Sequence, residues 1–367
     1  MKAWLLFPVL LIAPAAGTQT SVDATQAQVM VNVLERCHTG KVSPGIIDEV
    51  MSLAGTRLII AQQNISRRIT SDQYKAVLVS ACKGETTHLE PSDSGARAAK
   101  GVEGLVTDVA PSLLWGRDHV AYLKQRLAAA KENKGFGEIV RLALQNLPEK
   151  VALSPKLYFV MGGRAGAAAF DDGIYVDLLS DAWRSRKKNA PMTAQEMVEF
   201  FAHETHHVGY GEILDRRKNQ LHLVGGEEQA WSFLTALMME GSATLLINAH
   251  GSWAQLEKQD HIQADLARLP QLLPAAQNLL HRTLDAAMSD QEYQTAVSQF
   301  LGEGYHATGA RLLSVIEQVR GKPGALVVMD DPRQLLTVYN DCAVKANQPF
   351  RFDPRIAEET ETLGAKH

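Results

Sequence analysis

The chain has 367 residues, a formal net charge of −4, 46% hydrophobic residues and three cysteines. That length accommodates one large domain or two ordinary ones. The nearly balanced charge gives no argument for nucleic acid or an anionic membrane surface as a partner, and three cysteines are too few for a disulfide-built scaffold.

The opening segment, "MKAWLLFPVLLIAPAAGTQT", sets one lysine before a short apolar run and then small residues with an A-x-A pattern at Ala13–Ala15. The run is short for a bilayer span, so residues 1–16 read as a secretory signal peptide, with an N-terminal membrane anchor as the alternative. Export to the periplasm or the medium follows as an expectation. No later apolar run approaches membrane-spanning length, so the mature chain is expected to have no span. In an oxidising compartment Cys37 and Cys82 can pair across the N-terminal helices, leaving Cys342 buried and free, although spacing alone does not fix the connectivity.

Residues 17–148 carry helical patterning throughout. "PGIIDEVMSLAGTRLIIAQQ" spaces its apolar residues for a helix with Pro44 near the start, and "ITSDQYKAVLVSAC" opens on Thr70 and Gln73 in capping-box spacing. A polar, glycine-containing connector lies between Gly84 and Gly104, followed by two more helical segments, "PSLLWGRDHVAYLKQRLAAA" and "GEIVRLALQNL". Asn64 heads a glycosylation sequon, but on a helical segment.

The texture then changes to "KLYFVMGG" and "AAFDDGIYVDLL", two short strands rich in aromatic and β-branched residues with a turn at Asp171–Gly173. The glycines of "GGRAG" are followed by no G-K-[ST], so they read as a strand-ending turn and not as a phosphate loop. "MTAQEMVEFFAHETHHVGYG" reads as a helix capped by Thr193 and Glu196 and ended by Gly209 and Gly211. From Glu227 onward the chain is helical again, with breaks at Pro270, Pro274, Pro323 and Pro332. The expected class is α+β, predominantly helical, with a small sheet feeding one helix. Residues 149–350 are expected to form the functional domain and 351–367 a C-terminal tail.

"HETHH" spans His203 to His207 and matches H-E-x-x-H. Residues four apart on a helix share a face, so His203 and His207 can aim at one point, and neutral imidazoles there suit zinc. Glu204 projects beside them, where a carboxylate can take a proton from a water made acidic by the metal. With 12 histidines in 367 residues, chance production of this motif inside a capped amphipathic helix is far below one occurrence. His206 reads as a residue that supports the ligands or as an exposed histidine, the surface reading first, since using it as a ligand would leave Glu204 without a role as base.

Tetrahedral zinc needs a third protein ligand and an open position. Position 213 is Ile, which removes the extended three-histidine motif. A downstream glutamate remains, either Glu227 or Glu228 in "GGEEQAW" or Glu240 in "LMMEGSATLL". Glu240 is favoured because a lone acid in so apolar a helix is costly unless paired, and Ala236, Gly241, Ala243 and Thr244 would let a second helix approach. Glu227 and Glu228 have an easier explanation as acids complementing a helix dipole, yet their spacing keeps them open.

"HETHH" followed by "EGSA", with "YFVMGG" and "GIYVDL" ahead, resembles the gluzincin branch of the zincin metallopeptidases, and most of all a group of bacterial zinc-dependent peptidases. The resemblance covers about residues 150 to 345. It implies a zincin-like domain with one Zn²⁺ held by His203, His207 and Glu240, Glu204 as general base, and a peptide or protein substrate. It also implies that a sheet edge, "GIYVDL" or "KLYFVMGG", receives the substrate as an added strand. The oxyanion donor such chemistry needs is expected in "LGEGYHATGARLL", from Tyr305 first and His306 second. Two other readings stand: a catalytically silent zincin-like binding protein, and a zinc hydrolase acting on a non-peptide amide.

Overall fold

The computed structural model describes residues 22–365 apart from 67, 86–87, 154, 164–166, 171–172, 186–191, 261, 286–287 and 301–303. The expected signal peptide lies outside the described residues. Strand β1 (Val22–Asp23) leads into α1 (Thr25–His38), α2 (Pro44–Ser52), α3 (Ala54–Ser66) and α4 (Ser71–Lys83). The Thr70–Gln73 capping box forms in full at the start of α4. The run read as one helix divides at Leu53, whose backbone turns extended. The connector is shorter than expected, because α5 (Ala96–Gly104) forms within it and continues as a π-helical turn, Leu105–Val109. Then come α6 (Ala110–Asp118), α7 (Val120–Glu132) and α8 (Ile139–Leu144). A disulfide joins Cys37 of α1 to Cys82 of α4, and Cys342 is free and buried.

Strands β2 (Leu157–Val160), β3 (Ala167–Phe170) and β4 (Gly173–Asp177) complete a sheet of order β1-β2-β4-β3. β2 runs parallel to β4 with Leu157 opposite Ile174, while β3 folds back antiparallel on β4. Every residue of β2 and β4 is buried, the mark of strands covered on both faces. The two strands read from the sequence are therefore interior. The edge lying against the helix that carries "HETHH" is β3, which corrects the expected substrate edge. The double glycine does end β2. The buried Asp177 carboxylate accepts from the N–H groups of Gly162, Gly163, Leu179 and Ser180, and Gly163 adopts φ +91° where a Cβ would strike Ser112 Oγ.

After α9 (Leu178–Ser185) comes α10 (Ala194–Lys218), followed by α11 (Gly226–Ser242), a second π-helical turn at Ala243–Asn248, α12 (Trp253–Leu256), α13 (Gln263–Ala267) and α14 (Leu269–Asp285). The last four helices are α15 (Asp290–Phe300), α16 (Gly304–Asp330), α17 (Leu335–Lys345) and α18 (Pro354–Glu361). α18 buries Ile356, Ala357 and Thr360 and packs on α17, so the expected tail is part of the fold. The segment Gly226–Asn248 is long and apolar enough to cross a membrane by length and composition, contrary to the sequence reading. It is mostly buried as a core helix of the C-terminal half.

Two hydrophobic cores result. One gathers α1–α4, α6, α7, the sheet and the first turns of α10, with Phe136, Phe159 and Phe201 in mutual edge contact. The other gathers the last turns of α10 with α11 and α14–α18. They meet on α10, and the sheet belongs with the N-terminal helices, so the packing does not divide at residue 149. α10 consequently has little solvent face. Met197, Phe201, Thr205, His206, Tyr210 and Ile213 are all buried along it.

Candidate metal centre

The capping box predicted for α10 is present: Thr193 accepts from Glu196 N–H and the Glu196 carboxylate accepts from Thr193 N–H. The helix does not stop at Gly209 and Gly211. A Cβ at Gly209 would meet Leu144 and Leu147 at 2.9 Å, so this glycine admits α8 instead of ending α10. Ten residues in, the helix presents His203 and His207 on one stripe, their ring centroids 4.5 Å apart. Glu204 follows His203 in the chain and is half-buried, without a hydrogen-bond partner among the described residues.

α11 brings Glu240 to this stripe in its last turn, and α16 brings His306 in its first. Glu240 Oε2 lies 3.6 Å from His203 Nε2, 3.3 Å from His207 Nε2 and 2.9 Å from His306 Nε2. His203, Glu240 and His306 each place one donor atom within 4.8 Å of the others, and His207 reaches the same carboxylate oxygen from α10. Glu227 and Glu228 lie at the opposite end of α11, about 20 Å away at the rise of a helix. There the Glu227 carboxylate accepts from Val224 N–H, in the dipole-facing role their position suggests.

The approach of α16 to α11 depends on two glycines. A Cβ on Gly309 would sit 1.9 Å from the Leu237 carbonyl, and one on Gly241 would sit 2.2 Å from the Gly309 carbonyl carbon. Gly241 follows Glu240 and Gly309 lies one turn past His306, so the closest point of the crossing adjoins both donors.

Burial alone would raise the Glu240 carboxyl, but His207, His203 and His306 outweigh it and hold it well below the usual range. Burial likewise opposes charge on His203, yet Glu240 and Glu204 reverse the balance and its pKa rises. The site therefore favours positive charge beside Glu240. His203 Nδ1 lies 2.7 Å from Asn248 Oδ1, supplied by the π-helical turn after α11. An amide oxygen only accepts, so Nδ1 carries a hydrogen, and in the neutral ring Nε2 is the nitrogen left to offer a lone pair to a metal. Three imidazole nitrogens around one carboxylate oxygen form the borderline nitrogen and oxygen donor set that suits Zn²⁺. The residues present fit the ion.

Two expectations change here. Tyr305 is 5% exposed and packs on Phe233 and Phe300, while its neighbour His306 makes the contact with Glu240. An aromatic ring gains more from that apolar cluster than from facing a charged carboxylate. His206 is fully buried, with Nδ1 2.9 Å from the Ala143 carbonyl and Nε2 2.8 Å from Ser242 Oγ. Burial, aided by the nearby His207 and His203, pushes its pKa down to about 3. Asn248 escaped sequence reading altogether, since nothing in "LLINAHG" marks an amide as a histidine's partner. A cavity of about 730 Å³ lies beside β1, lined by Asp23, Thr25, Lys131 and Phe136, and contains none of the clustered donors. Donor chemistry, more than cavity size, marks the candidate centre.

A mostly helical α+β fold with imidazole and carboxylate donors converging between three helices defines a class of chain with a candidate metal centre. The chain belongs to the family described as "Putative zinc dependent peptidase (DUF5700)", which it matches over residues 47–348. The match begins within α2, so the family unit takes in most of the N-terminal helices as well as the sheet and the donor cluster. No curated protein and no solved structure matches the chain.

Proposed function

We propose that the protein is a zinc-dependent peptidase in which His203, His207 and Glu240 hold one zinc ion and Glu204 acts as general base. The observation that carries this reading is the convergence of the histidine nitrogens on Glu240 Oε2, with Glu204 following His203 in the chain on α10. Zinc held there supplies the Lewis acidity that brings the pKa of a water toward 7. Glu204 would be the general base, taking a proton from the attacking water as the water's oxygen bonds to the peptide carbonyl carbon. His306 donates a hydrogen bond to the oxygen on which negative charge develops. Glu204 then passes its proton to the departing amine as the C–N bond breaks. An extended peptide added along β3 would lie beside α10 and present its carbonyl to this stripe. Export through the leading segment is part of the same reading, and the Cys37–Cys82 disulfide supports an oxidising compartment.

The test is Glu204→Gln in purified protein. About one equivalent of zinc should remain bound while peptide cleavage falls by roughly 10²-fold or more. Wild-type protein that takes up no zinc would sink the reading. The short His306–Glu240 contact favours a second reading, in which His306 is a fourth ligand that closes the site and leaves a binding protein. A zinc-loaded wild type that cleaves no peptide in a broad library, and that shows no tetrahedral open-site spectrum with cobalt, would establish it.

A further inference from the structure

His206 lies inside the H-E-x-x-H segment at a position that the metal chemistry leaves unassigned, and it has no exposed surface. Its partners lie on two other helices: the Ala143 carbonyl on α8 and Ser242 Oγ on α11. A carbonyl only accepts, so Nδ1 carries the ring hydrogen and Nε2 accepts from the Ser242 hydroxyl at 2.8 Å, closer than that hydroxyl's other acceptor, the Met239 carbonyl at 3.2 Å. Ser242 is the last residue of α11, where the helix changes to π-helical pitch at Ala243. Two residues before it stands Glu240. Six residues after it stands Asn248, which orients His203. One side chain of α10 thus grips α11 at the joint from which both the carboxylate and the histidine's partner project. Insertions of π geometry into α-helices are recurrent at functional sites, because the wider turn re-aims the residues that follow.

We propose that His206 is a positioning residue for the metal centre, acting through Ser242 to fix the α11 joint so that Glu240 and Asn248 meet the histidine pair. The proposal rests on the zinc reading above and adds to it a residue that touches neither metal nor substrate.

The experiment uses full-length protein with zinc affinity measured by chelator competition, the visible spectrum of the cobalt-substituted form, and thermal unfolding of the metal-free form. Two substitutions divide the histidine's bonds. His206→Asn keeps a donor near Nδ1 for the Ala143 carbonyl but loses the acceptor for Ser242, whereas His206→Gln places an amide oxygen near Nε2 and keeps it. Ser242→Ala removes the same bond from the other side with minimal change in shape, so it remains informative if a His206 variant fails to fold. His206→Asn and Ser242→Ala are expected to weaken zinc binding roughly tenfold and to shift the cobalt bands. The double variant should be no weaker than either single one, and His206→Gln should return affinity to within about threefold of wild type. Variants that lower the unfolding temperature equally, while zinc affinity and the cobalt spectrum stay at wild type, would overturn the proposal and leave His206 as a core residue. Wild-type protein that binds neither zinc nor cobalt would overturn the zinc reading itself, a result distinct from the first.

Discussion

Gly309→Ala tests whether the close crossing of α11 and α16 builds the metal centre. The added methyl would lie 1.9 Å from the Leu237 carbonyl oxygen and 2.9 Å from Gly241 Cα, both backbone atoms that cannot swing aside. Ordinary contact begins near 3.4 Å, so α16 must retreat from α11 by about 1.5 Å at this point. The same retreat carries His306, one turn earlier, out of reach of Glu240 from its present 2.9 Å. Overpacking of this kind costs about 1–3 kcal/mol, or roughly 2–4 °C of unfolding temperature for each of those kilocalories. Misplacing a catalytic group by an ångström can cost about 10²-fold in rate. The expected result is a cooperatively folded protein with a modestly lower Tm, zinc affinity close to wild type, and a loss in kcat of about 10²-fold. Gly211→Ala is the matched control. Nothing lies within 4 Å of its Cβ position, so within α10 alanine should stabilise by up to about 1 kcal/mol and leave zinc affinity alone. Competition titration and scanning calorimetry read both quantities. Wild-type kcat on a peptide substrate in Gly309→Ala would refute the idea that this crossing sets the distance between Glu240 and His306.

His306→Ala should lower kcat by roughly 10²–10³-fold with little change in KM, as expected for a lost oxyanion donor, whereas Tyr305→Phe should stay within about twofold because its ring serves the Phe233–Phe300 cluster; steady-state kinetics on one peptide would separate them, and the reverse pattern would restore Tyr305 as the donor. Asn248→Ala removes the hydrogen-bond partner of His203 Nδ1 and should weaken zinc binding by about 10–100-fold at nearly constant Tm, with wild-type affinity counting against the orienting role. Asp331→Asn addresses a group far from the centre. Burial raises its carboxyl, but the forked contact from Arg333, with Gln334, more than offsets this and holds the pKa below the usual 3.8. The ionised form is thus the one that stabilises, fully above the ordinary carboxylate range and progressively less as pH falls through the lowered folded value. Urea titrations should show the variant weaker by about 1–3 kcal/mol near neutral pH, with the gap closing only in strong acid; a gap that widened on acidification would contradict the assignment.

Elements whose signal is local were legible. The capping boxes at Thr70 and Thr193 need only two residues three apart, and both formed as read. The β2 and β4 strands follow from their aromatic and β-branched runs. Pairing was not legible, because β1 contributes two residues and β3 is mostly alanine, and neither carries strand propensity enough to announce an edge. The end of α10 was misplaced for a related reason. Glycine inside a helix is a stop signal only where no neighbour compensates, and Gly209 is held by contact with α8, which its own segment does not encode. The membrane-length segment Gly226–Asn248 shows the same limit, since apolarity records burial without saying in what.

Within the candidate centre, legibility tracks how far each inference depended on a helix having a wet side. The His203, Glu204 and His207 spacing is internal to one helix and needs no partner to be read. Glu240 could be argued because an acid among apolar residues is costly wherever that helix lies, and the small residues around it implied a close neighbour without naming α16. His206 was read first as a surface residue, with a supporting role second, because a polar residue off the ligand stripe is assigned to solvent by default. α10 runs between two cores and is buried on nearly every side, so the default fails along its whole middle. A helix flanked by separate cores offers buried polar positions that must each find a partner, and His206 finds two on different helices. The burial that hid this residue from an amphipathic reading is thus what suits it to hold α8, α10 and α11 in register around the donors.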